Sequence, residues 1–274
     1  SSENICFFDE EVHKKKEFEN FIESNMQQAL DSQCFEMVLQ PKIDLQANSV
    51  IAAEALVRWR LEDGTYLPPS SFVDIFEKNL FCSKLDFYML KKAIQQIRKW
   101  IDMGMNPVNI SVNQSKIVFY HENYISEIKS LLEEYNVSGS YITLEVLEST
   151  VIEDIDMFNS ILTEVKKLGF SVSLDDFGSG YSSLNVLSKL QIDELKIDRI
   201  FLHTKSEVDN QRTKWILESI IDIAKKSQIL VVVEGVESKQ DDLFIKNLGA
   251  DVGQGYFYGR PLSISAFNDL IETK

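Results

Sequence analysis

Glu54 and Arg58 fall on one face of a strand that otherwise reads as buried. Across residues 51–59 the alternation places Ile51, Ala53, Ala55, Val57 and Trp59 on one side, and Ala52, Glu54, Leu56 and Arg58 on the other. A carboxylate in such a strand is costly to bury unless it is paired or bound to a cation. Two readings follow: a partly buried ion pair, or a metal-binding glutamate beside a phosphate-binding arginine. Further apolar runs also end on polar groups. Asn113 ends one, Glu145 sits near the end of the next and Asp175-Asp176 end a third. Lys196 and Asp198 lie in a fourth, and Glu234 closes a fifth. One such residue is ordinarily explained by a structural hydrogen bond. Several acidic strand ends on one rim point to shared chemistry.

The adjacent carboxylates Asp175 and Asp176 repel one another unless a cation lies between them. Successive strand residues point to opposite sides, so a bend at the strand end is needed to bring both into one cluster. Gly178 and Gly180 follow and allow a tight turn, although two glycines alone do not define a phosphate loop. A plain Asp-rich turn is the alternative. Oxygen donors from Glu, Asp and Asn suit hard cations such as Mg2+ or Mn2+ better than Zn2+, which favours His and Cys. His13, His121 and His203 lie away from these strand ends and read as surface residues. Cys6, Cys34 and Cys82 are scattered without metal-ligand spacing, and read as reduced thiols.

The elements that must position these groups alternate along the chain. Strands are expected over residues 35–43, 51–59, 108–113, 141–147, 170–175, 194–198, 229–234 and 251–254. Helices are expected over 85–103, 124–135, 151–168, 210–227 and 239–248, after a lead-in helix over 10–30. Strand and helix in alternation predict an α/β fold, a TIM-like (β/α)8 barrel of the usual ~250-residue size. Only residues 44–49 separate the first two strands, too few for a crossover. They must form a β-hairpin, so one strand runs antiparallel to the rest. An open doubly wound sheet is the rival, but no G-x-G-x-x-G follows the first strand. In a barrel, the C-terminal strand ends carry the chemistry.

The formal net charge of −15 argues against binding duplex nucleic acid, and a phosphate-bearing substrate would need local cations or Arg/Lys. No apolar run approaches the ~20 residues of a membrane span. The cysteine pattern fits a cytoplasmic domain. The chain opens on Ser1-Ser2 without an initiator Met. Residues 1–16 are therefore expected to link to an upstream domain and 17–274 to form the barrel, with any membrane association of the full-length protein residing outside this chain.

The same residues resemble the EAL domain family. Glu54-Ala55-Leu56-Val57-Arg58 is similar to its name-giving motif. It is joined in order by Gln40-Pro41, Pro69-Ser70-Ser71-Phe72, Ser111-Val112-Asn113, Glu145-Val146-Leu147-Glu148, Asp175-Asp176-Phe177-Gly178-Ser179-Gly180, Lys196-Ile197-Asp198, Glu234-Gly235-Val236-Glu237 and Gln254-Gly255-Tyr256. The resemblance implies hydrolysis of cyclic di-GMP to linear pGpG with two divalent cations, Mg2+ or Mn2+. It implies that Glu54, Asn113, Glu145 and Asp175 hold one cation. Asp175 would bridge to a second, held also by Asp176 and Glu234. Lys196 would orient the attacking water and Gln254 support water or substrate, completing a catalytic set with Glu54 and Glu234. Gln40, Leu56, Arg58 and Asp198 would contact substrate. Glu148, Phe177, Gly178, Gly180 and Glu237 would belong to a regulatory loop linked to a homodimer, and the upstream domain would be a GGDEF or sensory module. Leu147 stands where members usually carry Thr, which implies altered loop packing. The rival functions are a catalytically silent cyclic di-GMP receptor and a barrel enzyme acting on another phosphate ester.

Overall fold

The computed structural model describes residues 2–151, 155–178, 184–202 and 207–272. The elements run α1 (Ser2–Asp31), β1 (Phe35–Asp44), β2 (Ser49–Arg60), β3 (Tyr66–Leu67), α2 (Val73–Lys78), α3 (Cys82–Asp102), β4 (Asn109–Gln114), α4 (Lys116–Phe119), α5 (Tyr124–Tyr135), β5 (Ile142–Leu147), α6 (Glu148–Val151), α7 (Ile155–Lys167), β6 (Ser171–Phe177), α8 (Leu184–Lys189), β7 (Glu194–Ile197), α9 (Glu207–Lys226), β8 (Leu230–Val233), α10 (Lys239–Leu248), β9 (Val252–Gln254) and α11 (Ile264–Glu272). Most of the expected 1–16 linker is therefore drawn into one helix with the lead-in segment. The expected helix over 151–168 is described over Ile155–Lys167, with Val151 in α6 and positions 152–154 outside the described residues.

Eight strands close into a barrel in the order β1-β9-β8-β7-β6-β5-β4-β2, with β1 pairing back to β2 and the two-residue β3 appended to β2. From β2 and β4 through β9 the neighbouring pairs are parallel, while β1 is antiparallel to both β2 and β9. The hairpin expectation holds, and β1 is the reversed strand that closes the ring. Its turn is built locally. Asp44 Oδ1 accepts the Gln46 and Ala47 amides at 2.8 and 2.7 Å, and Asn48 takes a left-handed φ of 51°, as Asx residues tolerate.

The outward faces of the strands carry the apolar core. Phe35 on β1 and Trp59 on β2 pack against Phe72 and Phe76, with ring centroids 5.1–5.9 Å apart and all four rings buried. At about 1.5–3 kcal/mol for each buried large side chain, this cluster ties the hairpin to α2. α10 carries a capping box between Ser238 and Asp241 and stops at Gly249 in the left-handed region, which places the strand end before it and β9 after it. Among the described residues, no helix is long and apolar enough to cross a membrane.

The barrel interior is unusual in composition. Such barrels are normally filled by bulky branched side chains. Here Ser111, Thr143 and Ser173 are buried on successive or neighbouring strands, and two lysines, Lys42 and Lys196, occupy the space they leave.

Candidate active site

The C-terminal strand ends bring the expected residues together around Lys196. Its ammonium, 1% exposed, lies 2.9 Å from Glu145 Oε2, 2.9 Å from Asp175 Oδ1, 2.6 Å from Glu234 Oε1 and 3.5 Å from Glu54 Oε2. The last two contacts are charge pairs more than well-aligned hydrogen bonds: Glu234 Oε1 lacks a hydrogen bond of good geometry, and 3.5 Å is long. Glu54 Oε1 accepts from Asn113 Nδ2 at 3.1 Å, and its Oε2 accepts from Gln254 Nε2 at 2.6 Å. Gln254 Nε2 also reaches Gln40 Oε1 at 3.4 Å, while Gln254 Oε1 is buried without a partner.

Local backbone geometry explains the Asp175-Asp176 pair. β6 slips register against β7 between Leu174 and Phe177, and Asp176 adopts a left-handed φ of 56°. That kink turns Asp176 back toward the cluster instead of away from it, and the Asp176 amide donates to Asp175 Oδ1 at 2.9 Å. Oxygens of Asp175, Asp176 and Glu234 thereby come within 4.8 Å of one another. Gly178 follows with φ 100°, where a Cβ would press into the Phe201 ring. Gly255 serves the opposite wall: a Cβ there would overlap the Val236 carbonyl, so Gln254 is held close to the strand end carrying Glu234.

Charge is badly balanced here. Five carboxylates, Glu54, Glu145, Asp175, Asp176 and Glu234, gather around Lys196, and Glu194 pairs with Lys42 beneath them, so six carboxylates face two ammonium groups with a formal excess of four negative charges. The proton affinities record that excess. Burial pushes Glu54 and Asp175 above the usual carboxylate range, with neighbouring carboxylates adding to the effect. Burial does the same to Asp176, helped by Asp198. Burial drives Glu234 up to about 8 despite Lys196. Glu145 alone goes the other way: burial would raise it, but Lys196 and Lys42 outweigh that and hold it at about 2. An excess of four charges on oxygen donors fits two divalent cations, and the unpartnered Gln254 Oε1 fits a water or ligand at the same place.

A raised carboxylate sets the sign of a pH effect. Glu234 holds its proton more tightly folded than unfolded, so it costs the fold nothing below about 4.5 and progressively more as pH rises toward about 8. With EDTA present, the melting temperature is expected to fall between about pH 5 and pH 8, and saturating Mn2+ is expected to remove that slope. A flat EDTA profile would contradict the placement of Glu234 in this crowd.

The remaining expected residues divide. Gln40 is buried, donating to the Gly259 carbonyl at 3.2 Å. Arg58 does not pair with Glu54; its Nη1 donates to the Val57 carbonyl at 2.8 Å. Leu56 and Asn113 line a cavity of about 270 Å3 beside the centre, with Leu147 and the buried Asp86. Asp86 was not foreseen; it accepts from the Ser115 amide at 2.8 Å, and burial pushes its carboxyl up to about 7. Asp198 does not bond Lys196: it caps the turn at Arg199–Phe201, accepting the Ile200 amide at 2.8 Å. Of the regulatory-loop residues, Phe177 and Glu148 are buried and Glu237 is exposed, its amide donating to Asp241. Gly180 and His203 lie outside the described residues, and His13 and His121 are exposed as expected.

Two charged residues of the interior also escaped sequence reasoning. Lys42 is fully buried, donating to Ser111 Oγ at 2.7 Å, Glu145 Oε1 at 2.9 Å and Glu194 Oε1 at 2.8 Å. The signal was present: Lys42 shares the face of Gln40 by the period of two, between the apolar neighbours Pro41 and Ile43.

These observations define a class, an eight-stranded α/β barrel with an acidic, all-oxygen centre at the C-terminal rim. The chain belongs to the EAL domain family, whose sequence model matches residues 23–261. It is 31% identical over 257 residues to the bifunctional diguanylate cyclase/cyclic di-GMP phosphodiesterase MucR of Pseudomonas aeruginosa, covering 94% of this chain and 37% of that protein. It is 30% identical over 264 residues to the cyclic di-GMP phosphodiesterase PdeR of Escherichia coli, covering 96% and 39%. The chain thus spans little more than a third of these curated relatives. Among solved structures, the PaMucR phosphodiesterase in complex with c-di-GMP superposes with a TM-score of 0.82 at 32% identity, covering 90% of this chain and 99% of that one. The EAL enzyme Bd1971 in its cAMP- and cyclic-di-GMP-bound form gives 0.84 at 27% identity, covering 95% and 70%.

Proposed function

We propose that this domain hydrolyses cyclic di-GMP to linear pGpG with two divalent cations, Mg2+ or Mn2+. The observation that carries this reading is a cluster of five carboxylates, four of them within 4 Å of Lys196, with an uncompensated charge of the size two such cations supply. Glu54, Asn113, Glu145 and Asp175 would hold one cation; Asp175, Asp176 and Glu234 would hold the other. When bound, the cations supply an activated water at neutral pH and neutralise charge developing on the phosphodiester.

The chain's own groups do the rest. Lys196 stands at the centre of the carboxylates with donors to orient the attacking water. Gln254 Oε1, buried and unpartnered, is free to accept from that water or from substrate. Arg58 uses one guanidinium N–H on Val57 and retains the others for a phosphate. Gln40, Leu56 and Asp198 frame the same rim as substrate contacts, and the cavity beside Leu56 offers an apolar wall for a base. The regulatory role of Glu148, Phe177, Gly178 and Glu237, a homodimer, and an upstream GGDEF or sensory domain belong to the same reading.

Incubating purified protein with cyclic di-GMP and Mg2+ or Mn2+, and resolving products by chromatography, tests the proposal. Formation of pGpG that stops on adding EDTA is the expected result. Tight binding without product under either metal would favour the silent receptor. Neither binding nor turnover would move the substrate to another phosphate ester.

A further inference from the structure

Glu145 is bracketed by two ammonium groups reaching it from opposite layers of the barrel. Lys196 takes Oε2 from the rim side at 2.9 Å, and Lys42 takes Oε1 from below, also at 2.9 Å. Lys42 comes from β1, the reversed strand, where its register partners are Ala52 on β2 and Gln254 on β9. Its three N–H donors meet three acceptors, Ser111, Glu145 and Glu194, so the ammonium is fully satisfied and its position over-determined. The small neighbours Ala52 and Ser111 leave the room a lysine needs inside a barrel. Glu194 balances the charge of Lys42 one layer beneath the rim.

We propose that Lys42 is a positioning residue for the catalytic centre: it clamps Glu145 Oε1 from the barrel interior so that Oε2 is presented toward the rim in one orientation. This rests on the reading of Glu145 as a cation ligand. A carboxylate held by one ammonium alone can rotate toward it. Held at both oxygens, it would keep its place with a cation bound beside Oε2. Outer partners of ligating groups typically account for a factor of about 10–100 in metal affinity or activity when removed. Lys42 touches neither the rim surface nor the proposed substrate contacts, so its loss acts through Glu145.

The test compares Lys42→Met, Glu194→Gln, the double variant and Glu145→Gln by Mn2+ titration calorimetry without substrate, thermal melting, and kcat and KM for cyclic di-GMP. Lys42→Met is expected to weaken Mn2+ binding about tenfold or more and lower kcat at saturating Mn2+ by a similar factor, with KM within about threefold. Melting should fall as well, because Glu194 is left as a buried unpaired charge. The double variant removes that charge, so melting should recover while Mn2+ affinity and kcat stay low. Recovery of all three in the double variant, or Mn2+ affinity unchanged or raised in a folded Lys42→Met protein, would overturn the proposal and leave Lys42 a structural ion pair. Glu145→Gln separates the two levels: if it leaves Mn2+ affinity intact, the ligand reading fails first.

Discussion

Glu54→Ala is expected to abolish turnover of cyclic di-GMP, lowering kcat by more than the roughly hundredfold that loss of an outer partner produces. The side chain ties three strands together: Asn113 from β4 donates to one oxygen, Gln254 from β9 to the other, and Lys196 from β7 stands nearby. Removing it deletes a proposed ligand, takes the acceptor from the exposed Asn113 amide and leaves the buried Gln254 amide only its 3.4 Å contact to Gln40, at a cost of about 1–3 kcal/mol for the poorly satisfied buried donor. Loss of activity by unfolding is therefore a confounder, and Glu54→Gln resolves it by preserving the volume. That variant is expected to fold, to bind Mn2+ weakly and to turn over no faster than Glu54→Ala. His121→Ala, at an exposed ring 51% accessible, should leave the rate near wild type. A wild-type rate in Glu54→Ala would sink the ligand assignment.

Lys196→Met is expected to separate stability from catalysis. The residue is the only ammonium within 4 Å of Asp175 or Glu234 among the described residues, and it sits 1% exposed in their midst. Breaking a buried charge network by deleting one partner costs about 3–5 kcal/mol, so the variant should melt well below wild type in EDTA at neutral pH. Added Mn2+ should restore most of that loss, since divalent charge answers the same carboxylates. Turnover should stay depressed, by about 10²–10⁴-fold if the lysine handles the attacking water as an acid or base group would. The competing view makes Lys196 a structural counterion and nothing more. On that view Mn2+ would rescue rate and melting together, and that joint rescue would end the catalytic assignment.

The alternation of apolar runs and amphipathic helices was enough to place eight barrel strands within a few residues of their observed limits, and the short segment after Ile43 was enough to demand a hairpin. Glu54, Asn113, Glu145, Asp175, Lys196 and Glu234 were legible because a polar group in a short buried strand is conspicuous. Arg58 shows the limit of that logic. Period two correctly puts it on the face of Glu54, yet residues four apart along an extended strand are separated by about 13 Å of backbone, and the side chain bonds Val57 instead. Asp198 likewise shares a face with Lys196 by the period of two, but its carboxylate caps the next turn instead of pairing with the lysine.

Residue order alone therefore specifies the strand faces, the acidic strand ends and the oxygen-donor chemistry, since these follow from local periodicity and side-chain type. It does not specify which strand closes the ring, because the pairing of β1 with β9 joins residues about two hundred positions apart and emerges only when the barrel is complete. The role of Lys42 follows from that closure. Its partners Ser111, Glu145 and Glu194 come from three other strands, so the period of two can turn Lys42 inward but cannot name the groups that hold its ammonium beneath the rim. The kink at Asp176 is of the same kind: adjacent aspartates are visible in the sequence, but their convergence depends on a register slip between β6 and β7.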